Sequence, residues 1–171
     1  APSGKLPFTF PLKLEDSPAY AMGNFPDKNS GGDLFTLMYR LDATGLTREE
    51  IQEYIDNLPD PESRYTEGIL VGYRWFDTKE VPVMYAFGHG LSYVDFGYGE
   101  LKCKTRKDKI SVDFALTNEG SMEADEVVQL YVRRPESKVE RPYKELKAFD
   151  RITLKAGETK TVSLEVPISE L

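Results

Sequence analysis

The sequence holds one cysteine, one histidine and one tryptophan among 171 residues, and each scarcity excludes something. Cys103 alone forms no internal disulfide. A chain this long, able to bury roughly 70% of its extended surface, has room for a core without one. Cys103 lies in an alternating apolar pattern and reads as a core or half-buried thiol. His89 has no Cys or His near it in sequence, so a zinc set of three or four ligands has no local nucleus. A Ser-His-Asp arrangement would have to be built on that same imidazole; a structural histidine in a glycine-rich turn is the plainer reading. Basic residues are also in deficit, 22 against 29 acidic, for a net charge of −7. Phosphate backbones and anionic lipid heads repel such a chain, which disfavours nucleic acid and membrane surfaces as partners. No apolar run approaches the ~20 residues of a membrane-spanning helix. The N-terminus, Ala1-Pro2-Ser3-Gly4-Lys5, has no signal-peptide pattern and reads as a cut inside a longer chain.

Two ligand loops fail on inspection. Ser3-Gly4-Lys5-Leu6 lacks the upstream glycine and the hydroxyl after lysine that a phosphate loop needs. Asp27-Lys28-Asn29-Ser30-Gly31-Gly32 begins like a calcium loop, but its twelfth position is Met38, which supplies no carboxylate. No metal site and no cofactor site is expected.

What is present divides the chain. Residues 1–32 are rich in Pro, Gly and Ser; Leu6 to Phe10 reads as a strand closed by Pro11, and Glu15 to Gly32 as an irregular loop. Thr47-Arg48-Glu49-Glu50 is a capping box, followed by Ile51, Tyr54, Ile55 and Leu58 on one helical stripe until Pro59. Asp33 to Leu41 is a weaker helical candidate. Ile69 to Phe76 reads as a strand, and Tyr85 to Tyr93 as a tight packed turn.

From residue 93 onward the period is two. Ile110, Val112, Phe114 and Leu116 alternate with polar residues until Asn118-Glu119-Gly120 turns the chain. Val128, Leu130 and Val132 form a second run. Leu146, Phe149, Ile152 and Leu154 form a less regular one with room for a bulge. Val162, Leu164 and Val166 follow the Ala156-Gly157-Glu158 turn. About five strands with turns between them predict an antiparallel sandwich, two short of the seven of a complete immunoglobulin-like fold. Missing strands would leave a sheet edge unpaired, to be hidden by homodimerisation or by folding Leu6 to Phe10 across it.

Glycosidases need two carboxyl groups, roughly 5–5.5 Å apart in retaining enzymes. The acidic groupings here, Glu15 with Asp16, Glu49 with Glu50, and Glu123 with Asp125 and Glu126, fall in a loop, a helix cap and a strand edge, where solvated carboxylates belong. Only Glu67 and Asp77 adjoin apolar segments. Tyr65, Tyr73, Trp75, Phe76, Tyr85, Phe87, Tyr93, Phe96 and Tyr98 form an aromatic set suited to packing at a core or domain interface, or to stacking on sugar rings.

Four segments together resemble family 3 glycoside hydrolases. Tyr65-Thr66-Glu67-Gly68-Ile69-Leu70-Val71-Gly72-Tyr73-Arg74-Trp75-Phe76-Asp77 is similar to the family's YxEGIxVGYRxFD stretch. Ala86-Phe87-Gly88-His89-Gly90-Leu91-Ser92-Tyr93 resembles its FGHGLSY turn. Arg141-Pro142-Tyr143-Lys144-Glu145-Leu146-Lys147-Ala148-Phe149 resembles the RPxKELKGF segment of its fibronectin type III-like domain. Pro2 to Pro11 resembles PSGKLPxTFP, near the end of its α/β-sandwich domain. Residues 33–61 match none of the family's motifs and read as an insertion.

The resemblance implies a parent β-glucosidase that is retaining and exo-acting and needs no cofactor. Its nucleophilic Asp lies in a barrel domain, and its acid/base Glu in the α/β domain upstream of residue 1. Neither maps here, so no catalytic residue is expected in this chain. The expected fold is mainly β: an incomplete fibronectin III/immunoglobulin-like antiparallel sandwich preceded by an extended connector with one or two short helices. Residues 1–32 would end the α/β domain, 33–92 form the connector, and 93–171 form the fibronectin-like domain without its last strands. Tyr73, Trp75, Phe87, Tyr93 and Phe96 would pack connector against sandwich. The implied partners are the parent's barrel and α/β domains, with glucoside met only through the parent, in a periplasmic or extracellular setting. The rival reading is a stand-alone carbohydrate-binding or protein-interaction β-sandwich.

Overall fold

The structure, a computed structural model, describes residues 1–24, 47–57 and 66–171. It is mainly β and antiparallel, as expected. The long strands are β5 (Lys109–Asn118), β6 (Ala124–Val132), β7 (Glu145–Leu154) and β8 (Thr159–Pro167). The alternation that marks β5, β6 and β8 places one row of each inward. β8 runs along the whole of β5, from Lys109 opposite Pro167 to Thr117 opposite Thr159. Two short strands, β3 (Phe96–Tyr98) and β4 (Lys102–Thr105), share the other edge of β5. They bring the strands after residue 90 to six, one more than the period alone revealed.

A second sheet pairs β6 with β7. The bulge allowed for by the irregular run falls at Lys147, because Leu130 faces Ala148 while Tyr131 faces Leu146. Leu116, Val162 and Leu164 from the first sheet meet Val128 and Leu154 from the second, with Phe96, Phe114, Leu130, Ala148 and Ile152 packed around them. Phe149 departs from the expectation: it points outward, because the inward row of β7 is Ala148, Ile152 and Leu154.

Asn118 does more than turn the chain. Fully buried, it donates from Nδ2 to the carbonyls of Met122 (2.8 Å) and Leu154 (3.1 Å), and its Oδ1 accepts from Gly120 N (2.9 Å). Both functions of a buried amide are thereby satisfied.

The chain before residue 93 departs from its sequence reading in three places. Ile69 to Phe76 is no strand. A turn leads to Gly72 at φ +60°, then to the short helix Tyr73–Thr78. Trp75 and Phe76 are adjacent and both buried, which a strand that sends neighbours to opposite faces provides only between two packed layers. With Leu70, Val81 and Val83 they form a second, smaller core. The stretch after Leu14 carries a 3-10 turn (Leu14–Asp16) and a one-turn helix, α1 (Pro18–Ala21), where an irregular loop was expected; Pro18 occupies its N-terminal position, where the missing N–H costs nothing. The N-terminal strand shrinks to β1 (Phe10–Pro11), paired with β2 (Val83–Tyr85). Leu6 to Phe10 therefore does not cross the edge of the sandwich.

The capping box is present at α2 (Arg48–Asp56): Thr47 N–H donates to Glu50 Oε2 (2.8 Å), and Glu50 N–H donates to Thr47 Oγ1 (3.3 Å). The bonds that the Glu50 carboxylate accepts from Thr47, from its N–H foremost and then from its hydroxyl (2.9 Å), hold that carboxyl below its ordinary range. The apolar stripe Ile51, Tyr54, Ile55 and Leu58 lies outside what is described of side chains, as do Asp33 to Leu41 and the calcium-like stretch Asp27 to Met38. The helix Tyr73–Thr78 is α3 below. Cys103 is exposed, contrary to expectation: it sits on β4, all four residues of which are exposed.

Candidate functional site

The chemistry-bearing side chains gather where the N-terminal segment, the Ala86–Gly90 turn and α3 meet the β6–β7 sheet. Leu6 forms a small ladder with the turn: its N–H donates to His89 O and its carbonyl accepts from Gly88 N, both at 2.8 Å. Thr9 Oγ1 accepts from Phe87 N (3.2 Å). The approach is close enough that a Cβ on Gly90 would stand 2.4 Å from Gly4 O, and Gly88 holds φ +80° against the Gln129 amide. The Tyr85–Tyr93 stretch is thus a packed turn, as its composition suggested. His89 contributes through its backbone, and its exposed ring lies 5.2 Å from that of Tyr85.

Two anchors tie this strap to β6. Lys5 Nζ donates to both oxygens of Glu126 at 2.9 and 3.0 Å, and Tyr98 OH donates to Glu126 Oε1 at 2.9 Å. Burial, and then the hydrogen bond to Glu126, push the Tyr98 phenol well above its ordinary range. On the other face of β6, Gln129 Nε2 donates to Gly88 O at a long 3.4 Å, and its Oε1 accepts from Tyr131 OH at 2.6 Å. Burial, followed by the proximity of Tyr73 and Asp77, raises Tyr131 to about 12.

α3 supplies a further set of contacts. Tyr73 stacks on Phe87 (4.6 Å, 21°), meets Tyr131 edge-on (6.0 Å), and its hydroxyl accepts from Leu146 N (2.8 Å). Asp77 pairs with Lys144 at 3.3 Å, and Thr78 Oγ1 accepts from Tyr143 N at 2.9 Å. Among the aromatics expected to join connector to sandwich, Tyr73 does so through Tyr131 and Leu146, with Phe87 stacked behind it; Trp75 fills the connector's own core and Phe96 the sandwich core. Tyr93 is 76% exposed and joins neither.

Among the described residues the acidic groups do not converge. Asp16 lies 3.9 Å from Lys13, Asp125 pairs with Arg151, and Glu123 is exposed. Glu126 is the exception to the solvated reading, being 8% exposed. Its parity with Ala124 and Val128 on β6 is the signal that would have found it. Glu67 Oε2 and Arg74 Nε are buried without a hydrogen-bond partner. Among the described residues, no three His, Cys, Asp or Glu side chains assemble as metal ligands would.

The far side of the strap is an apolar hollow of about 690 Å³, lined by Leu6, Phe10, Met84, Tyr85, His89 and Leu91 among others. Phe8, Leu12 and Leu14 are also exposed large apolar residues of the N-terminal segment.

Sequence and fold together define a fibronectin type III-like domain preceded by a connector. Residues 126–171 match the family model "Fibronectin type III-like domain". Thermostable beta-glucosidase B of Acetivibrio thermocellus is 38% identical over 95% of the chain, and Beta-glucosidase BoGH3A of Bacteroides ovatus 36% over 96%. The solved structure of beta-glucosidase 3B from Thermotoga neapolitana in complex with glucose superimposes with a TM-score of 0.73 at 33% identity, over 98% of the chain. The chain spans about a fifth of each: 18%, 19% and 19%. The chain corresponds to the part of these family 3 β-glucosidases that carries the fibronectin type III-like domain. Among the described residues no helix is long and apolar enough to cross a membrane.

Proposed function

We propose that this chain is the non-catalytic bracing region of a retaining β-glucosidase, which hydrolyses terminal β-D-glucosyl residues with two carboxyl groups supplied elsewhere in the parent. On this reading residues 1–32 end the neighbouring α/β domain, 33–92 form the connector and 93–171 the fibronectin-like domain. The apolar hollow is the seat for the rest of the enzyme. The carrying observation is the arrangement around β6: one side of the strap is gripped by a folded sandwich, while the other presents Phe10, Met84, Tyr85 and Leu91 to solvent. Contiguous apolar surface of this kind marks a contact to be covered. The scatter of the carboxylates among the described residues supports the bracing role. The setting we propose for the parent is the periplasm or the cell exterior.

Hydrolysis of p-nitrophenyl β-D-glucoside by the purified chain and by the full-length parent tests the reading. The chain alone is expected to be inactive and the parent active. The parent carrying Met84→Glu and Leu91→Glu is expected to lose thermal stability. Turnover by the chain alone, surviving repurification, would overturn the proposal. Retention on insoluble β-glucan with an inactive parent would favour a carbohydrate-binding module.

A further inference from the structure

Glu126 stands in a row made for apolar side chains. Its neighbours in that row, Ala124 and Val128, are 3% and 1% exposed. The sandwich needs no charge there, because well-packed apolar replacement of both partners of a buried ion pair is often neutral or stabilising. The carboxylate does something else: it takes hold of Lys5, 121 residues away in sequence, with both oxygens, while Tyr98 from β3 fixes one of them. Lys5 is followed directly by Leu6, whose two backbone bonds to Gly88 and His89 hold the turn. Gln129, three residues on from Glu126 and on the opposite face of β6, holds the same turn at Gly88 O. The strap is therefore gripped from both faces of one strand, and those grips exist only where β6 is formed and paired.

We propose that Glu126 is a latch that makes presentation of the apolar hollow conditional on a folded sandwich. Without it, the strap keeps the Leu6 ladder, the Phe87 to Thr9 bond, the long Gln129 bond to Gly88 O and the two-residue pairing of β1 with β2, a pairing that is marginal by itself in water. Lys5 and Leu6 line the hollow together with His89 and Leu91, so release of the latch dissolves its wall. A chain whose sandwich has not folded would then not offer the seat. Glu126 is thus a positioning residue acting through Lys5. The purpose assigned to the latch rests on the reading of the hollow as a seat; the latch itself does not.

Native-state hydrogen exchange on this chain tests it. Lys5→Met keeps the stem and removes the charge. It is expected to lower protection of the Leu6 and Gly88 amides at least tenfold, while the Val112 and Leu164 amides of the β5–β8 pair keep theirs. Lys5→Met combined with Glu126→Leu, which replaces both partners, is expected to match or exceed the wild-type denaturation midpoint while losing the same two protections. The double exchange Lys5→Glu with Glu126→Lys is expected to recover part of them. Unchanged protection at Leu6 and Gly88 in Lys5→Met, or a fall shared equally by Val112 and Leu164, would overturn the latch. Should the combined variant fail to fold, Lys5→Met decides alone, since it alters a segment outside the sandwich. A full-length parent whose thermal stability is untouched by a Lys5→Met that does release the strap would overturn the seat and leave the latch standing.

Discussion

Glu80 carries the clearest single-residue strain in the chain. It is the one non-glycine among the described residues at positive φ, +54°, and it ends α3, where Val81 N–H returns to Phe76 O at 2.9 Å. That closing position favours glycine, and the left-handed conformation costs a side-chain-bearing residue about 1 kcal/mol. Glu80→Gly is expected to raise the urea midpoint by a stability increment of that order, partly offset by the freer unfolded chain. Tyr131 makes a prediction about pH. Its phenol is raised to about 12, first by burial, so the folded state holds the proton more tightly than the unfolded state does. The corresponding stability is complete below the ordinary tyrosine pKa of about 10 and is lost as pH climbs from there through about 12. Urea unfolding of the wild type between pH 9 and 12 is expected to weaken more steeply than that of Tyr131→Phe. Neither residue stands out in the sequence: both depend on where α3 stops and on what then lies over β6. The same holds for Cys103, whose alternating neighbours suggested burial although β4 is an exposed edge strand.

At the scale of elements, periodicity was informative wherever one face met the core and the other met water. β5, β6 and β8 were legible on that ground, as was the capping box at α2, because its chemistry is local. α3 was not. Tyr73, Trp75 and Phe76 suit a strand by intrinsic preference, and the helix is selected by tertiary contacts: Trp75 and Phe76 into the connector core, Tyr73 onto Phe87 and Tyr131. Glu126 was legible in principle through strand parity, yet its acidic neighbours Glu123 and Asp125 suggested solvent. Its partner is set by a contact across 121 positions, which no local pattern carries. The docking of α3 has its own test. Tyr73→Phe removes the acceptor of the Leu146 amide, a half-buried donor. It is expected to cost about 1 kcal/mol and to speed exchange at Leu146 ahead of exchange at Val128.

For the whole molecule, two cores of unequal size predict unequal cooperativity. The larger joins both sheets around Leu116 and Leu154, each 0% exposed; the smaller holds Leu70, Trp75 and Phe76 beneath the strap. Leu154→Ala is expected to cost about 2–5 kcal/mol and to lower the thermal midpoint of far-UV dichroism for the whole chain. Phe76→Ala is expected to lose near-UV aromatic dichroism from the connector at a lower temperature, with the sandwich transition little changed. A single shared transition in Phe76→Ala would show that the two cores melt as one. The pairing of β1 with β2 has a further consequence. Phe10 meets Tyr85 and Leu6 meets His89, so everything from Leu12 to Pro82 is an excursion whose two ends are pinned side by side. Closing such an excursion costs entropy that grows only with the logarithm of its length, about 0.6 kcal/mol for each doubling. Insertions in the part of that excursion before Leu70 therefore carry a small thermodynamic penalty, while α3 and the geometry at the base stay the same.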